Sequence, residues 1–212
     1  MIGLWNTLPH SWEWKPEVKV RNGSIYEGPF VCTGNICRSP MGELMFPLFF
    51  HDDSIVTDSA GVQGLLNSPI DPASALLLAQ DGIDSRAFRS KRLTPQLAMS
   101  NDLILCFTEH QRRKIVALAP RVRTKTFTLT GFAALCAYCA SHGIIQDSTV
   151  DGRLQSVLRN ASMIQPVLGN APDIADPYRK EIEVFQDAHD AIGEAIAQIA
   201  SALSPSRARH AS

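Results

Sequence analysis

The stretch that decides the fold runs from Phe30 to Pro40, with the sequence Phe-Val-Cys-Thr-Gly-Asn-Ile-Cys-Arg-Ser-Pro. It begins at the apolar end of a β-rich run and leads into a helical run, with small and polar residues between the two. At such a junction several backbone N–H groups point at one place, and the helix dipole adds partial positive charge. The segment therefore predicts a cradle for a tetrahedral oxyanion such as phosphate.

Two side chains of this loop suit chemistry on that anion. Cys32 lies where the helix dipole and the N–H groups favour the thiolate, which is the nucleophilic form of cysteine. Arg38 follows six residues later and can return to the same anion as a planar, two-pronged donor. The alternative interpretation is that Cys32 is a buried core thiol and Arg38 a surface residue.

The remainder of the chain alternates between strand and helix patterns. Short β-rich runs at 55–57, 102–107 and 125–129 each precede turn or cap residues and then helical periodicity. An apolar stripe from Phe185 to Leu203 predicts a long last helix. The expected fold is α/β, a three-layer doubly wound sheet of about four parallel strands with helices on both faces and the phosphate-binding loop between the first strand and the first helix.

Helix starts are marked by residues whose side chains cap the first turn. Aspartate or threonine before proline is typical of a helix N-terminus, and threonine followed three residues later by glutamine is a capping-box pattern. The three signals are Asp71-Pro72, Thr94-Pro95 and Thr108 with Gln111.

Length and charge limit the classes of function. At roughly 100–200 residues per domain, 212 residues predict one main domain. Twenty Lys and Arg against 21 Asp and Glu give a net charge of −1, so no basic field favours nucleic acid or an anionic membrane as partner. The start of the chain lacks a secretory signal pattern, and a cytoplasmic location is expected. The five cysteines of a cytoplasmic protein are expected to be catalytic, metal-binding or buried thiols in preference to disulfides.

The domain organisation is predicted from shifts in composition. Residues 1–23 hold all three tryptophans and form an extension. The main domain spans 24–203 and includes an insertion around 134–172, in which a helix with Val150, Leu154, Val157 and Leu158 on one face is expected after Ser148. Residues 204–212 are polar and are expected to form a frayed tail.

The loop resembles the active-site loop of the low-molecular-weight protein tyrosine phosphatases, in which Cys, five residues, Arg and then Ser or Thr follow one another. Gly34, Asn35 and Cys37 add to the match. The family also has an acid in an Asp-Pro motif late in the chain, and Asp176-Pro177 stands just before the last helix. The resemblance covers residues 24 to 203.

The resemblance implies a cysteine-dependent phosphatase that hydrolyses a phosphotyrosine-containing protein or a small aryl phosphate, without metal or cofactor. Two of the implied site residues have simpler interpretations, because Asp-Pro is a common turn opener and Tyr178 can be an ordinary half-buried ring. Cys37 can capture an oxidised Cys32 or merely pack beneath the loop. The implied catalytic residues are Cys32, Arg38 and Asp176, and the implied substrate-binding residues are Thr33, Gly34, Asn35, Ile36, Cys37, Ser39 and Tyr178.

Four residues depart from the family pattern. Pro29 interrupts the first strand, which we expect to be short or bulged, and Pro47 should end the regular helix after two turns. Phe88 stands where many members have a histidine that braces the loop. Leu65 stands near a tryptophan that in many members contacts the substrate ring.

Two competing functions stay open at this point. A thiol-coupled arsenate reductase shares the fold and the loop but needs two further cysteines near the third strand, where Thr108 and Glu109 stand. A weakly active regulator that binds phosphate or phosphopeptides on the same fold is the other alternative.

Overall fold

A computed structural model describes residues 26–50 and 55–205 of the chain. The strands within these residues are β1 (Tyr26–Cys32), β2 (Ile55–Gly61), β3 (Ile104–Cys106) and β4 (Thr126–Thr128). The α-helices of the same described ranges are α1 (Arg38–Met45), α2 (Pro72–Gln80), α3 (Pro95–Ser100), α4 (Glu109–Leu118), α5 (Leu129–Ser141), α6 (Val150–Leu168) and α7 (Ile182–Leu203). Short 3₁₀ helices cover Phe46–Leu48 and Pro120–Lys125.

The strands form one parallel sheet in the order β2-β1-β3-β4. Successive side chains of a strand point to opposite faces, and the core divides accordingly. Phe30 of β1 belongs to a large cluster with α1, α5, α6 and α7, whereas its neighbour Val31 belongs to a smaller cluster with Ala98 of α3 and Ile115 of α4. The predicted α/β fold with helices on both faces is confirmed.

The prediction that Pro29 makes β1 short or bulged is wrong for the side of β1 that pairs with β2. Its register with β2 is one-to-one from Tyr26↔Ile55 to Cys32↔Gly61, so the strand runs at full length through Pro29. Pairing with β3 involves only Phe30 and Val31. Proline lacks an N–H donor, and because Pro29 precedes the first residue paired with β3, that ladder loses no bond.

The helix boundaries follow the predicted signals closely. Asp71 caps α2 through Ala73 N at 2.9 Å, and Thr94 caps α3 through Leu97 N at 3.1 Å. At Pro47 the regular helix α1 has already ended and a 3₁₀ turn takes over, as expected. These caps place the starts of the helices at the carboxyl edge of the sheet, where the loops after the strands converge.

The segment predicted as an insertion contains the end of α5 and all of α6. Helix α6 is capped by Thr149, one residue after the expected Ser148, through Gly152 N at 3.1 Å. Its apolar face, including the buried Leu154, joins the same core cluster as β1 and α7. Arg153 donates to Ala202 O of α7 at 2.9 Å. Helix α6 is therefore packed as part of the main domain.

The predicted extension 1–23 and most of the predicted tail 204–212 lie outside the described residues. Among the residues that the structure describes, no helix combines the length and the apolar character needed to cross a membrane.

Replacing Leu154 by alanine tests the contribution of α6 to the core. The side chain is 0% exposed, and removing it leaves a cavity, so Leu154→Ala should lower the free energy of unfolding by about 2–5 kcal/mol in chemical denaturation. Met163→Ala, on the same helix at 68% exposure, is the matched control and should change it by under about 0.5 kcal/mol. Equal, small effects would show that α6 adds nothing to the core.

Candidate active site

The loop of residues 33–37 joins β1 to α1 at the carboxyl edge of the sheet. Cys32 is the last residue of β1, and Arg38 is the first residue of α1. Both side chains are nearly fully buried. The short connection brings the thiol and the guanidinium to the N-terminus of α1, where the partial positive charge of a helix favours anions.

Asn35 holds the loop together. Its backbone is left-handed, with φ of 60°, a conformation that asparagine adopts more readily than most residues. Its side-chain Nδ2 donates to Ser39 Oγ at 2.9 Å and to Ser59 Oγ at 2.8 Å, and its Oδ1 accepts from Lys91 N at 2.7 Å. One buried side chain thus connects the loop to α1, to β2 and to the segment before α3.

Two polar groups face the sulfur of Cys32. The backbone N–H of Asn35 donates to Sγ at 3.2 Å, and the hydroxyl of Ser39 lies 2.9 Å from it. Ser39 Oγ accepts from Asn35 Nδ2, and its single proton has two acceptors within reach, the sulfur and Ala60 O at 3.5 Å. A hydrogen bond donated to the sulfur stabilises a thiolate.

A half-buried carboxyl group, that of Glu43, is linked to the loop. Ser59 Oγ donates to Glu43 Oε2 at 2.6 Å and accepts from Asn35, so a chain of hydrogen bonds leads from α1 to the loop. Burial raises the pKa of Glu43, and the hydrogen bond from Ser59 partly opposes that effect. The sequence did not predict Glu43 as a site residue, because a glutamate within a helix is usually exposed to solvent.

Gln111 is a second residue that the sequence did not reveal as part of the site. The predicted capping bond exists, with Thr108 accepting from Gln111 N at 3.1 Å. The side chain of Gln111, however, accepts from Phe107 N at 2.9 Å instead of Thr108 N, and its Nε2 donates to Thr33 Oγ1 at 3.2 Å. An amide offers both an acceptor and donors, and Gln111 uses them to connect α4 to the loop.

Arg38 is anchored from the opposite end of the chain. Its Nη1 donates to Ile174 O at 2.9 Å, and its Nη2 forms an ion pair with Asp176 Oδ2 at 2.7 Å. Its Nε is buried and has no hydrogen-bond partner among the described residues. A buried donor without an acceptor is costly, and a phosphate oxygen would satisfy it.

The segment carrying Asp176 is fixed at the end of β3. Ile174 N donates to Phe107 O at 2.9 Å, and Asp176 Oδ1 accepts from Tyr178 N at 3.2 Å. The carboxyl group of Asp176 is 53% exposed, so it stands between Arg38 and solvent. Tyr178 is also exposed, and Arg179 lies 5.1 Å from the centroid of its ring.

The positions that depart from the family pattern have other partners. Phe88 packs against the main core, and the loop is braced instead by the backbone N–H of Lys91, which donates to Asn35. Leu65 is 48% exposed, and its N–H donates to Gly34 O at 3.1 Å.

Cys37 faces away from solvent, in a small apolar cluster with Leu77 and Phe185, while Ile36 packs partly against the same cluster. Burial, followed by the nearby carboxylate of Asp71, raises the pKa of the Cys37 thiol well above its usual range. The thiol is therefore protonated at neutral pH. This placement agrees with a packing role, and capture of an oxidised Cys32 stays a prediction.

Comparisons with known proteins agree with this geometry. Residues 29–147 match the family model described as low molecular weight phosphotyrosine protein phosphatase. The low molecular weight protein-tyrosine-phosphatase Etp of Escherichia coli is 40% identical over 96 residues, which are 45% of this chain and 64% of Etp, so the match spans less than two thirds of that relative. The probable low molecular weight protein-tyrosine-phosphatase EpsP of Ralstonia solanacearum is 34% identical over 158 residues, 74% of this chain and 82% of EpsP.

Among solved structures, the YwlE arginine phosphatase from Geobacillus stearothermophilus superposes with a TM-score of 0.63 at 27% identity, covering 83% of this chain and 91% of YwlE. The likeness to the phosphatases extends over the loop, the sheet order and most of the length of the domain. The chain belongs to the low-molecular-weight protein tyrosine phosphatase family.

Proposed function

We propose that this protein is a phosphatase that hydrolyses phosphotyrosine and other aryl phosphate monoesters through a phosphocysteine intermediate on Cys32. The observation that carries the proposal is that two groups at the ends of one loop, Cys32 and Arg38, meet an acid from a distant part of the chain, Asp176. The sulfur of Cys32 receives hydrogen bonds in the loop, Arg38 lies at the start of α1, and Asp176 contacts Arg38 at 2.7 Å.

In the first step, the thiolate of Cys32 attacks phosphorus and the bond between phosphorus and the phenolic oxygen breaks. The N–H groups of residues 33–37 and the guanidinium of Arg38 hold the three remaining oxygens, on which negative charge is spread in the transition state. The side chains of Thr33, Asn35 and Ser39 keep the loop in shape for this step.

Asp176 acts as the general acid. It gives its proton to the phenolic oxygen as the bond breaks, so the leaving group departs neutral.

In the second step, water attacks the phosphocysteine. The ionised Asp176 takes a proton from the water as its oxygen bonds to phosphorus, and the bond between phosphorus and sulfur breaks. Inorganic phosphate leaves and the thiolate of Cys32 is restored. The hydroxyl of Ser39, 2.9 Å from the sulfur, stabilises the departing thiolate.

The substrate class is proposed from the mouth of the site. The exposed ring of Tyr178 stands two residues from Asp176 and offers an aromatic wall to a substrate ring.

We further propose that the enzyme acts in the cytoplasm, since all five cysteines are unpaired thiols.

Hydrolysis of phosphoarginine is the second candidate activity, because a solved structure that covers most of this chain is an arginine phosphatase.

The surroundings of the three cysteines outside the loop disfavour a thiol-coupled arsenate reductase. Cys106, Cys136 and Cys139 are buried, and burial raises the pKa of each of them. Thiols in that state do not serve as attacking groups in a relay.

The proposed function is tested by turnover of a phosphotyrosine peptide, an aryl phosphate and phosphoarginine by wild type and Cys32→Ser. Phosphotyrosine should be the preferred substrate, and Cys32→Ser should lose at least about 10³-fold, because it lacks the thiolate. Cys106→Ser, which changes a buried thiol outside the loop, is the control and should retain turnover. Preference for phosphoarginine would reassign the substrate, and thiol-dependent release of arsenite would favour the reductase.

Asp176→Ala should slow the first step about 10²–10⁴-fold for phosphate esters with poor leaving groups and much less for activated aryl esters, because only a poor leaving group needs the proton. The measurement is the dependence of kcat/KM on the leaving group. Asp173→Ala, which removes an exposed carboxylate three residues earlier, should leave that dependence unchanged. The same loss across all leaving groups would assign Asp176 a structural role.

Asn35→Ala should reduce kcat for an aryl phosphate at least about 10-fold, because it removes three hydrogen bonds through which the buried Asn35 side chain shapes the loop. Asn67→Ala is a matched control, since Asn67 has the same left-handed backbone, with φ of 56°, but is exposed and bonds through its backbone N–H. Equal rates for the two variants would show that backbone conformation alone, without the side-chain bonds, sets the loop.

A further inference from the structure

Two segments lie side by side at the rim of the site, next to the phosphate-binding loop. Residues 61–68 follow β2, and residues 90–93 precede α3. We call the two together the rim ribbon. Asn67 N donates to Ser90 O at 2.8 Å, and a Cβ on Gly64 would lie 2.3 Å from Lys91 O, so the backbones are in close contact. Further backbone bonds are Gly61 N to Lys91 O, Ser90 N to Ser68 O and Leu93 N to Gly61 O.

The rim ribbon is bonded directly to the loop. Val62 N donates to Cys32 O at 2.9 Å, Gln63 N to Thr33 O at 2.9 Å and Leu65 N to Gly34 O at 3.1 Å. Three successive carbonyls at the start of the loop thus accept hydrogen bonds from the ribbon, which skips only the N–H of Gly64. A group bound on the ribbon is therefore held at a fixed distance from the reacting phosphate.

The ribbon exposes two apolar side chains. Leu65 is 48% exposed and Leu66 is 71% exposed, although the backbone around them is well bonded. The Ser90 hydroxyl donates to Leu65 O at 2.7 Å, which fixes this turn from below. A rigid backbone with adjacent exposed leucines is suited to contact with a peptide.

Two exposed arginines accompany the ribbon. Arg92 lies along it, with Nε 3.4 Å from Gly64 O, and Arg89, the residue before its second segment, donates through Nη1 to Arg86 O at 2.8 Å and to Phe88 O at 2.6 Å. Neighbouring cations are paired, Arg86 with Asp84 and Lys91 with Asp58. Within the described part of the chain, neither Arg89 nor Arg92 forms an ion pair with a carboxylate, so no carboxylate neutralises either charge.

Among the residues that the structure describes, the other side of the site offers no unpaired cation at the corresponding position. Strand β1 lies between β2, which leads into the ribbon, and β3, which leads to Glu109. The half-buried Glu109 pairs with Arg112 at 3.3 Å, and its N–H donates to Oδ1 of the exposed Asp173 at 2.8 Å. An acidic segment is therefore attracted to the ribbon side more strongly than to the side where Asp173 is exposed.

We propose that the rim ribbon binds an acidic peptide segment adjacent to the phosphotyrosine of the substrate, with Arg89 and Arg92 as residues that determine specificity. This inference rests on the proposed phosphatase function and names the sequence class of its substrates. Exposed charge pairs are individually weak, so each arginine should change kcat/KM about 2- to 5-fold, mainly through KM.

The test compares phosphotyrosine peptides of equal length flanked on the N-terminal or the C-terminal side by glutamates, glutamines or lysines. Wild type should prefer one of the glutamate peptides over its glutamine counterpart, and added salt should reduce the preference. Arg89→Gln/Arg92→Gln should abolish it while leaving hydrolysis of a small aryl phosphate unchanged. Arg123→Gln, the same charge change on the exposed 3₁₀ helix before β4, should retain it.

An equal preference in wild type and Arg89→Gln/Arg92→Gln, or no preference for acidic flanks, would overturn the inference even if turnover is normal. If no phosphopeptide is hydrolysed, the proposed function fails, and peptide binding then tests the specificity of the rim ribbon separately. In fluorescence anisotropy, the same peptides should bind Cys32→Ser with the same order of affinities, and Cys32→Ser with both arginine changes should bind acidic and neutral peptides equally.

Discussion

The site depends on the side chain of Asn35. This single buried amide joins Ser39 of α1, Ser59 of β2 and the backbone of Lys91, three elements that are far apart along the chain. Its left-handed backbone turns the loop so that its own N–H reaches the sulfur of Cys32. Because Asn35 is fully buried, its hydrogen bonds are stronger than they would be on the surface, and losing one would leave a buried polar group without a partner.

The parallel sheet supplies the second constraint. All four strands end at one edge, so the loops after β1, β2 and β3 meet there although 78 residues separate Thr33 from Gln111, and 136 separate Arg38 from Ile174. The loop between β1 and α1 lies at this edge, and the rim ribbon is bonded to it on the β2 side. The proposed chemistry and the proposed substrate selection therefore share one rigid support.

Local features of the sequence predicted the fold well, because they act within a few residues. The caps at Asp71 and Thr94 and the helix end before Pro47 need no distant partner. Contacts that depend on tertiary structure were not predictable in the same way. The bonds from Gln111 to Thr33 and from Ser59 to Glu43 depend on the order of the strands in the sheet. The full length of β1 through Pro29 depends on how few of its residues pair with β3.

In the proposed mechanism, Cys32 carries the phosphoryl group between the two steps. Mass spectrometry of Asp176→Ala after rapid mixing with an activated aryl phosphate and acid quenching tests this step, since loss of the general base should slow breakdown of the intermediate. A phosphorylated peptide that contains Cys32 should form as fast as the phenol is released. Phenol release without phosphate on Cys32, or phosphate on another residue, would rule out Cys32 as the carrier.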